Sequence, residues 1–203
     1  MLTPEREAEI RQLCNGEWAD TLGDLSEEAW EALDAEWAEK TREFATTCEN
    51  AEELAYFIEM ANWDSEREAI ELILTNPNCD LAAALLAYWM MQPGYYSGFA
   101  TLSAVPDFQR DDAQVLKDLA ERLTAGAYAD KGTEIRYREY YAEFQAAVDA
   151  PTPDPQAERD RLVAMGVDPD GPTASFYAGP KKPNPSSEFY PSETILSLTR
   201  ERL

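Results

Sequence analysis

Histidine is absent from the 203 residues. With it go the serine–histidine–aspartate triad, the cysteine–histidine dyad and the histidine-ligated metal sites. Cysteine is sparse: Cys14, Cys48 and Cys79 are odd in number, far apart, and include no C-x-x-C pair. That argues against a disulfide framework and against zinc, and leaves buried free thiols in a reducing compartment as the expectation. No G-x-G-x-x-G and no Walker-type loop occurs, so a glycine-rich phosphate cradle is unsupported. Positive charge is scarce as well, with 17 Lys and Arg against 40 Asp and Glu and a formal net charge of −23. Basic patches interleaved with aromatics are missing and Lys181-Lys182 is an isolated pair, so direct nucleic-acid binding is not expected. The N-terminus, Met-Leu-Thr-Pro-Glu-Arg-Glu, lacks a basic region followed by an apolar run, which makes the cytoplasm the expected address.

What is present begins with Leu81 to Met91, a stretch without charge, Gly or Pro. As a helix it is apolar all round and must be buried on every side. At about 16 Å it falls well short of the roughly 20 residues a bilayer requires. Asp80 is placed to cap its start, and Pro93-Gly94 to end it. The expected architecture is all-α, about seven helices around this central one.

The other helices are announced by their caps. Thr3-Pro4 starts the first, with Ile10 and Leu13 on one face and Asn15-Gly16 as its stop. Trp18 and Leu22 fall in a connector. Ser26 caps a long second helix, with Leu25 and Trp30 at staple spacing and Leu33, Trp37 and Phe44 continuing the apolar stripe. Asn50 and Glu53 have capping-box spacing before Leu54, Phe57, Ile58 and Ala61. Asp64 or Ser65 caps a fourth helix with Ala69, Ile70, Ile73 and Leu74 inward. Gly94 to Phe99 reads as an aromatic loop. Asp111 or Asp112 opens a sixth helix, with Val115, Leu116, Leu119 and Leu123 inward and Gly126 past its end. A seventh runs through Ile135, Tyr137, Tyr141, Phe144 and Val148 after a Lys131-Gly132 turn, although Ile135 to Tyr137 also fits a short strand. Nine of the thirteen prolines lie from Pro151 onward, which excludes continuous helix there. The expected organisation is an acidic helical domain over 1–150 and a Pro-rich tail over 151–203 that wraps it. In the tail, Asp154-Pro155 and Ser192 start short helices, and Phe176, Tyr177, Phe189 and Tyr190 either hold the intervening chain down, the preferred reading, or form a recognition strip.

Asn62-Trp63-Asp64, Ile70, Ile73, Asn78-Cys79-Asp80-Leu81, Ala84-Leu85, Tyr88-Trp89 and Pro93 together resemble the domain of unknown function 4274 family, over about residues 49–126. Ala82 and Ala83 depart from the Gly-Thr of that pattern. The resemblance implies a small helical domain with a buried Ala- and Leu-rich helix. It also implies a place beside bacterial toxins, where such a domain acts as an immunity protein.

Charge gives the functional expectation its chemistry. Residues 1 to 75 hold 21 acids and 5 bases, a field that repels nucleic acid and anionic lipid and draws basic partners. The expected activity is therefore binding rather than catalysis: neutralisation of a cognate basic toxin, such as a nuclease, by covering its active site. Candidate contacts are Glu28, Glu31, Asp34 and Glu39 on the outer face of the second helix, with Glu52 and Glu59 on the third and Tyr95 and Tyr96 as aromatic anchors. No cofactor or metal is expected, since Asp168-Pro169-Asp170-Gly171 lacks the ligand positions of a calcium loop and reads as a turn. The alternative is an anionic mimic of DNA that inhibits a nucleic-acid-binding protein. An enzyme working through carboxylates alone would need a deep pocket of convergent acids, for which the spacing offers no sign.

Overall fold

In the computed structural model, described over residues 2–15, 26–63, 65–134, 138–152, 154–170 and 182–203, every regular element is helical and there is no strand among the described residues. The all-α expectation holds, with ten α-helices and two 3₁₀ turns in these segments. The expected Leu25–Trp30 staple, the Trp18–Leu22 connector, the Asp64 cap, the Ile135–Tyr137 strand and the Phe176–Tyr177 contacts lie outside the described residues.

The chain divides into two compact units, residues 1–87 with 125–136, and residues 88–124 with 137–203.

The first unit holds α1 (Pro4–Asn15), α2 (Glu27–Thr47), α3 (Ala51–Met60), α4 (Arg67–Thr75) and the first seven residues of α5 (Leu81–Met90). Helix α1 packs against α3 and α2, and α2 against α4. The caps explain why these helices start where they do. Ser26 accepts from the Ala29 amide at 3.3 Å and Asn50 from the Glu52 amide at 3.0 Å, each meeting one of the orphan donors of a first turn. Asp80, fully buried, accepts from the Ala83 amide (3.0 Å) with one oxygen and from the Thr133 amide (3.2 Å) with the other. It thereby caps α5 and fastens the 125–136 segment in one step. Asn76 performs the same service between helices: its amide donates to the carbonyls of Ala45 (2.9 Å) and Cys48 (3.1 Å), and its oxygen accepts from Asn78 (2.8 Å). One expected cap is corrected. The N-cap of α4 is Glu66, without a side-chain cap bond, rather than Ser65.

Helix α5 is buried as its composition requires, each residue from Ala82 to Trp89 being at most 1% exposed. It ends earlier than the Pro-Gly signal suggested. Gln92 leaves the helix in the left-handed conformation (φ 54°, ψ 61°); Pro93 disfavours a right-handed helical residue before it but does not itself call for a positive φ.

The second unit contains the end of α5, α6 (Pro93–Tyr96), α7 (Arg110–Thr124), α8 (Arg138–Asp149), α9 (Pro155–Ala164) and α10 (Glu193–Arg202), with 3₁₀ turns at Leu102–Ala104 and Asp107–Gln109. The expected aromatic loop thus begins as a single helical turn, and α7 starts at Arg110 rather than at Asp111 or Asp112. Trp89 anchors the unit. Its ring lies 5.0 Å from Tyr141 and 5.3 Å from Phe144, and its indole N–H donates to the buried Thr199 hydroxyl at 3.0 Å. Residues 182–191 pair with the 97–102 segment: Asn184 donates to the Ser97 carbonyl (3.0 Å) and the Ser187 hydroxyl to the Phe99 carbonyl (2.5 Å). Phe189 rests on Tyr96 and Tyr190 on Phe144, at 5.9 and 5.7 Å. These two aromatics hold residues 182–191 within the unit. Asp154 and Ser192 cap α9 and α10.

Candidate partner-binding surface

Helix α2 changes character halfway. Phe44, Ala45 and Thr41 are buried, whereas none of the residues from Glu27 to Lys40 is. At about 100° per residue, Trp30, Leu33, Trp37 and Phe44 fall within about 60° of one another. They form a single stripe whose last member is covered and whose first three are only half covered. The sequence placed all four inward, and the structure corrects this for Trp30, Leu33 and Trp37.

Beside that stripe lies a groove of about 470 Å³ between α1 and α2, lined by Glu9, Gln12, Leu13, Leu33, Glu36, Trp37 and Lys40. Its walls are fixed. The Trp37 indole N–H donates to the Leu13 carbonyl at 3.0 Å and the Thr41 hydroxyl to the same oxygen at 3.4 Å. Leu13 lies in the last turn of α1, where carbonyls lack helical partners, so these bonds satisfy an orphan acceptor while locking the ring. Its charged rim is internally paired, Glu36 with Lys40 and Glu9 with Arg6, each at 2.7 Å. The Lys40 hydrogen bond holds the Glu36 carboxyl below its ordinary range. Arg6 also donates to Glu53 at 2.5 Å, which lowers the Glu53 pKa against the opposing effect of burial.

The acidic candidates separate into kinds. Glu28, Glu31 and Glu39 are exposed and lie within about 80° of one another on α2, away from the stripe. Asp34 is exposed but sits only about 40° from Trp30, beside the apolar stripe and not on the acidic face expected for it. Glu39 is paired with Arg42 at 2.7 Å. Among the described residues Glu27, Glu28, Glu31, Asp34 and Glu43 have no ion-pair partner. On α3, Glu59 is exposed and Glu52 half-buried.

The aromatic candidates belong to the second unit. Tyr96 is 7% exposed and packed on Phe189, and half-buried Tyr95 spends its hydroxyl on Gln109 at 2.8 Å. Both serve the core of the second unit. The residues that sequence reasoning missed as surface are Leu13, Leu33 and Trp37. Their spacing is that of any core stripe, and the only local sign of exposure is the acid crowding around them.

Glu66 is 4% exposed, and burial pushes its carboxyl up to about 7 against a hydrogen bond from Ser65. Its Oε1 and the buried Nε1 of Trp63 have no hydrogen-bond partner among the described residues. At the other former candidate, Asp168 accepts from the Asp170 amide at 3.0 Å while Arg159 grips the Asp170 carboxylate at 2.7 and 2.5 Å. That is a turn tied to a helix. No group of three or more Cys, Asp or Glu gathers into a metal-binding cluster among the described residues, and no described helix is long and apolar enough to cross a membrane.

Residues 49–124 match the family model described as "Domain of unknown function (DUF4274)", so the resemblance read from the Asn-Trp-Asp and Cys-Asp-Leu motifs holds over that span. No curated protein and no solved structure matches the chain.

Proposed function

We propose that this chain is a bacterial immunity-type protein acting in the cytoplasm. It binds a cognate basic protein toxin, a nuclease being the type that suits the charge, and neutralises it by covering the active site. It catalyses nothing itself and makes no direct contact with nucleic acid. The observation that carries this reading is on α2, where Glu27, Glu28, Glu31 and Asp34, which have no ion-pair partner among the described residues, share a half-helix with half-exposed Trp30, Leu33 and Trp37. An excess of carboxylates speeds encounter with a cationic surface, and a few aromatic and aliphatic anchors then supply most of the affinity. A DNA mimic needs only the first of these features. The burial of Ala82–Trp89 supports reading α5 as the central helix of the bundle, with the Pro-rich C-terminal segment as its wrap.

Affinity capture from the organism that carries the chain, followed by low- and high-salt washes, tests the proposal. It expects one basic protein that survives high salt, is toxic when expressed alone, and loses toxicity on coexpression with this chain. Retention of nucleic-acid-binding proteins only, all released by salt, would reject it in favour of the DNA mimic.

A further inference from the structure

Resting on that reading, the geometry points to the α1–α2 groove as the seat of a partner's apolar anchor: we propose that it receives the Leu- or Trp-bearing face of a basic amphipathic helix. Its volume of about 470 Å³ falls in the ~300–1,000 Å³ range of pockets that hold compact ligands. Its chemistry does not suit a polar one. The Trp37 N–H is committed to Leu13, and Glu9 and Glu36 are committed to Arg6 and Lys40. Apart from the Gln12 side chain, what remains is the apolar surface of Leu13, Leu33 and the Trp37 ring, held open by the bonds to the Leu13 carbonyl. A groove that is already formed saves a partner the cost of ordering it.

The surrounding charge selects the rest of the occupant. Helices α1 and α2 carry ten acidic residues against four basic, so a helix with an apolar stripe and cationic flanks is complementary both to the groove and to the faces around it. Such a helix reads as anchors at i, i+3, i+4 and i+7. Lys40, the one cation among the described lining residues, is neutralised by Glu36 at 2.7 Å. The apolar interior and the acidic exterior therefore call for one and the same partner.

The test uses a fluorescein-labelled synthetic peptide of about 18 residues, roughly 27 Å of helix. It carries Leu and Trp at the stripe positions and Lys and Arg elsewhere, and is compared with a scramble of identical composition. Binding to the full chain is read by anisotropy at about 0.15 M NaCl, where the Debye length is ≈ 8 Å. The amphipathic peptide is expected to bind at least about tenfold tighter than the scramble and to shift the Trp37 indole N–H resonance. Leu33→Asp is expected to weaken binding at least about tenfold, although it adds a negative charge. Ala38→Asp adds the same charge about 140° around α2 and is expected to leave binding equal or tighter. Far-UV circular dichroism of both variants checks that the helices persist.

The sign of the Leu33→Asp effect decides the matter, because docking by charge alone would tighten. If the two peptides bind alike and Leu33→Asp strengthens both, the groove is overturned while the acidic-surface reading survives. If neither peptide binds, both fall. A dimer of the free chain that Leu33→Asp dissociates in sedimentation would put a second copy in the groove and overturn the proposal. Cross-peaks in the free protein between the Trp37 ring and residues 16–25 would do the same, by showing the groove filled from within the chain.

Discussion

Glu66 shows how one side chain makes stability depend on pH. Burial raises its pKa from 4.5 to about 7, so between those values the folded chain holds a proton that the unfolded chain has released. Stability then falls as pH rises through that window, and the loss is complete above it. The cost is at most ~3 kcal/mol at pH 8. Glu66→Gln keeps the shape of the protonated acid and removes the charge, so urea unfolding at pH 5 and pH 8 is expected to find the variant more stable at pH 8, with a flatter profile between. A profile parallel to the parent's would assign the pH dependence elsewhere. Thr199 carries a neutral version of the same argument. Thr199→Val leaves the Trp89 indole N–H buried without its 3.0 Å acceptor, an expected loss of ~1–3 kcal/mol in urea unfolding, whereas Thr199→Ser retains most of the stability.

Among elements, those whose cause is local were legible in the sequence. The caps at Ser26, Asn50, Asp80, Asp154 and Ser192 depend on a side chain reaching two or three residues ahead, and each stands where its residue type predicted. What escaped depends on distant chain. Nothing local marks Gln92 for a positive φ in place of a glycine, and α6 forms where its aromatics suggested loop. Burial of Tyr96 needs Phe189, 93 positions later, and exposure of Leu33 and Trp37 depends on what the rest of the fold leaves uncovered. At α6 the consequence is testable. A Cβ on Gly94 would meet the Phe144 ring at 3.3 Å, and that ring is hemmed by Trp89 at 5.3 Å and Tyr190 at 5.7 Å. The ring has little room to give, so overpacking is expected to outweigh the backbone gain of replacing glycine. Gly94→Ala should cost ~1 kcal/mol by urea unfolding, and a more stable variant would mean that the α6–α8 contact is looser than these distances imply.

For the molecule as a whole, a net charge of −23 puts two quantities under opposite control by salt. Self-repulsion among the excess acids opposes folding, and the ion pairs that would be weakened by salt are mostly exposed, worth ~0–1 kcal/mol each. Raising NaCl from about 0.01 to 0.15 M shortens the Debye length from ≈ 30 to ≈ 8 Å. Relief of ~1 kcal/mol of repulsion would raise the melting temperature by about 2–4 °C in a chain of this size. A fall instead would mean that the ion pairs outweigh the repulsion. Association with the basic amphipathic peptide should respond the other way, and unevenly. Steering by the α2 carboxylates acts on encounter, so the association rate is expected to drop as salt rises. Contact with Leu13, Leu33 and Trp37 acts after encounter, so the dissociation rate should stay nearly constant in the same series and rise at least about tenfold in Leu33→Asp. Stopped-flow anisotropy separates the two rates. If salt accelerates dissociation as strongly as it slows association, the complex is held by charge throughout and the groove contributes nothing to its lifetime.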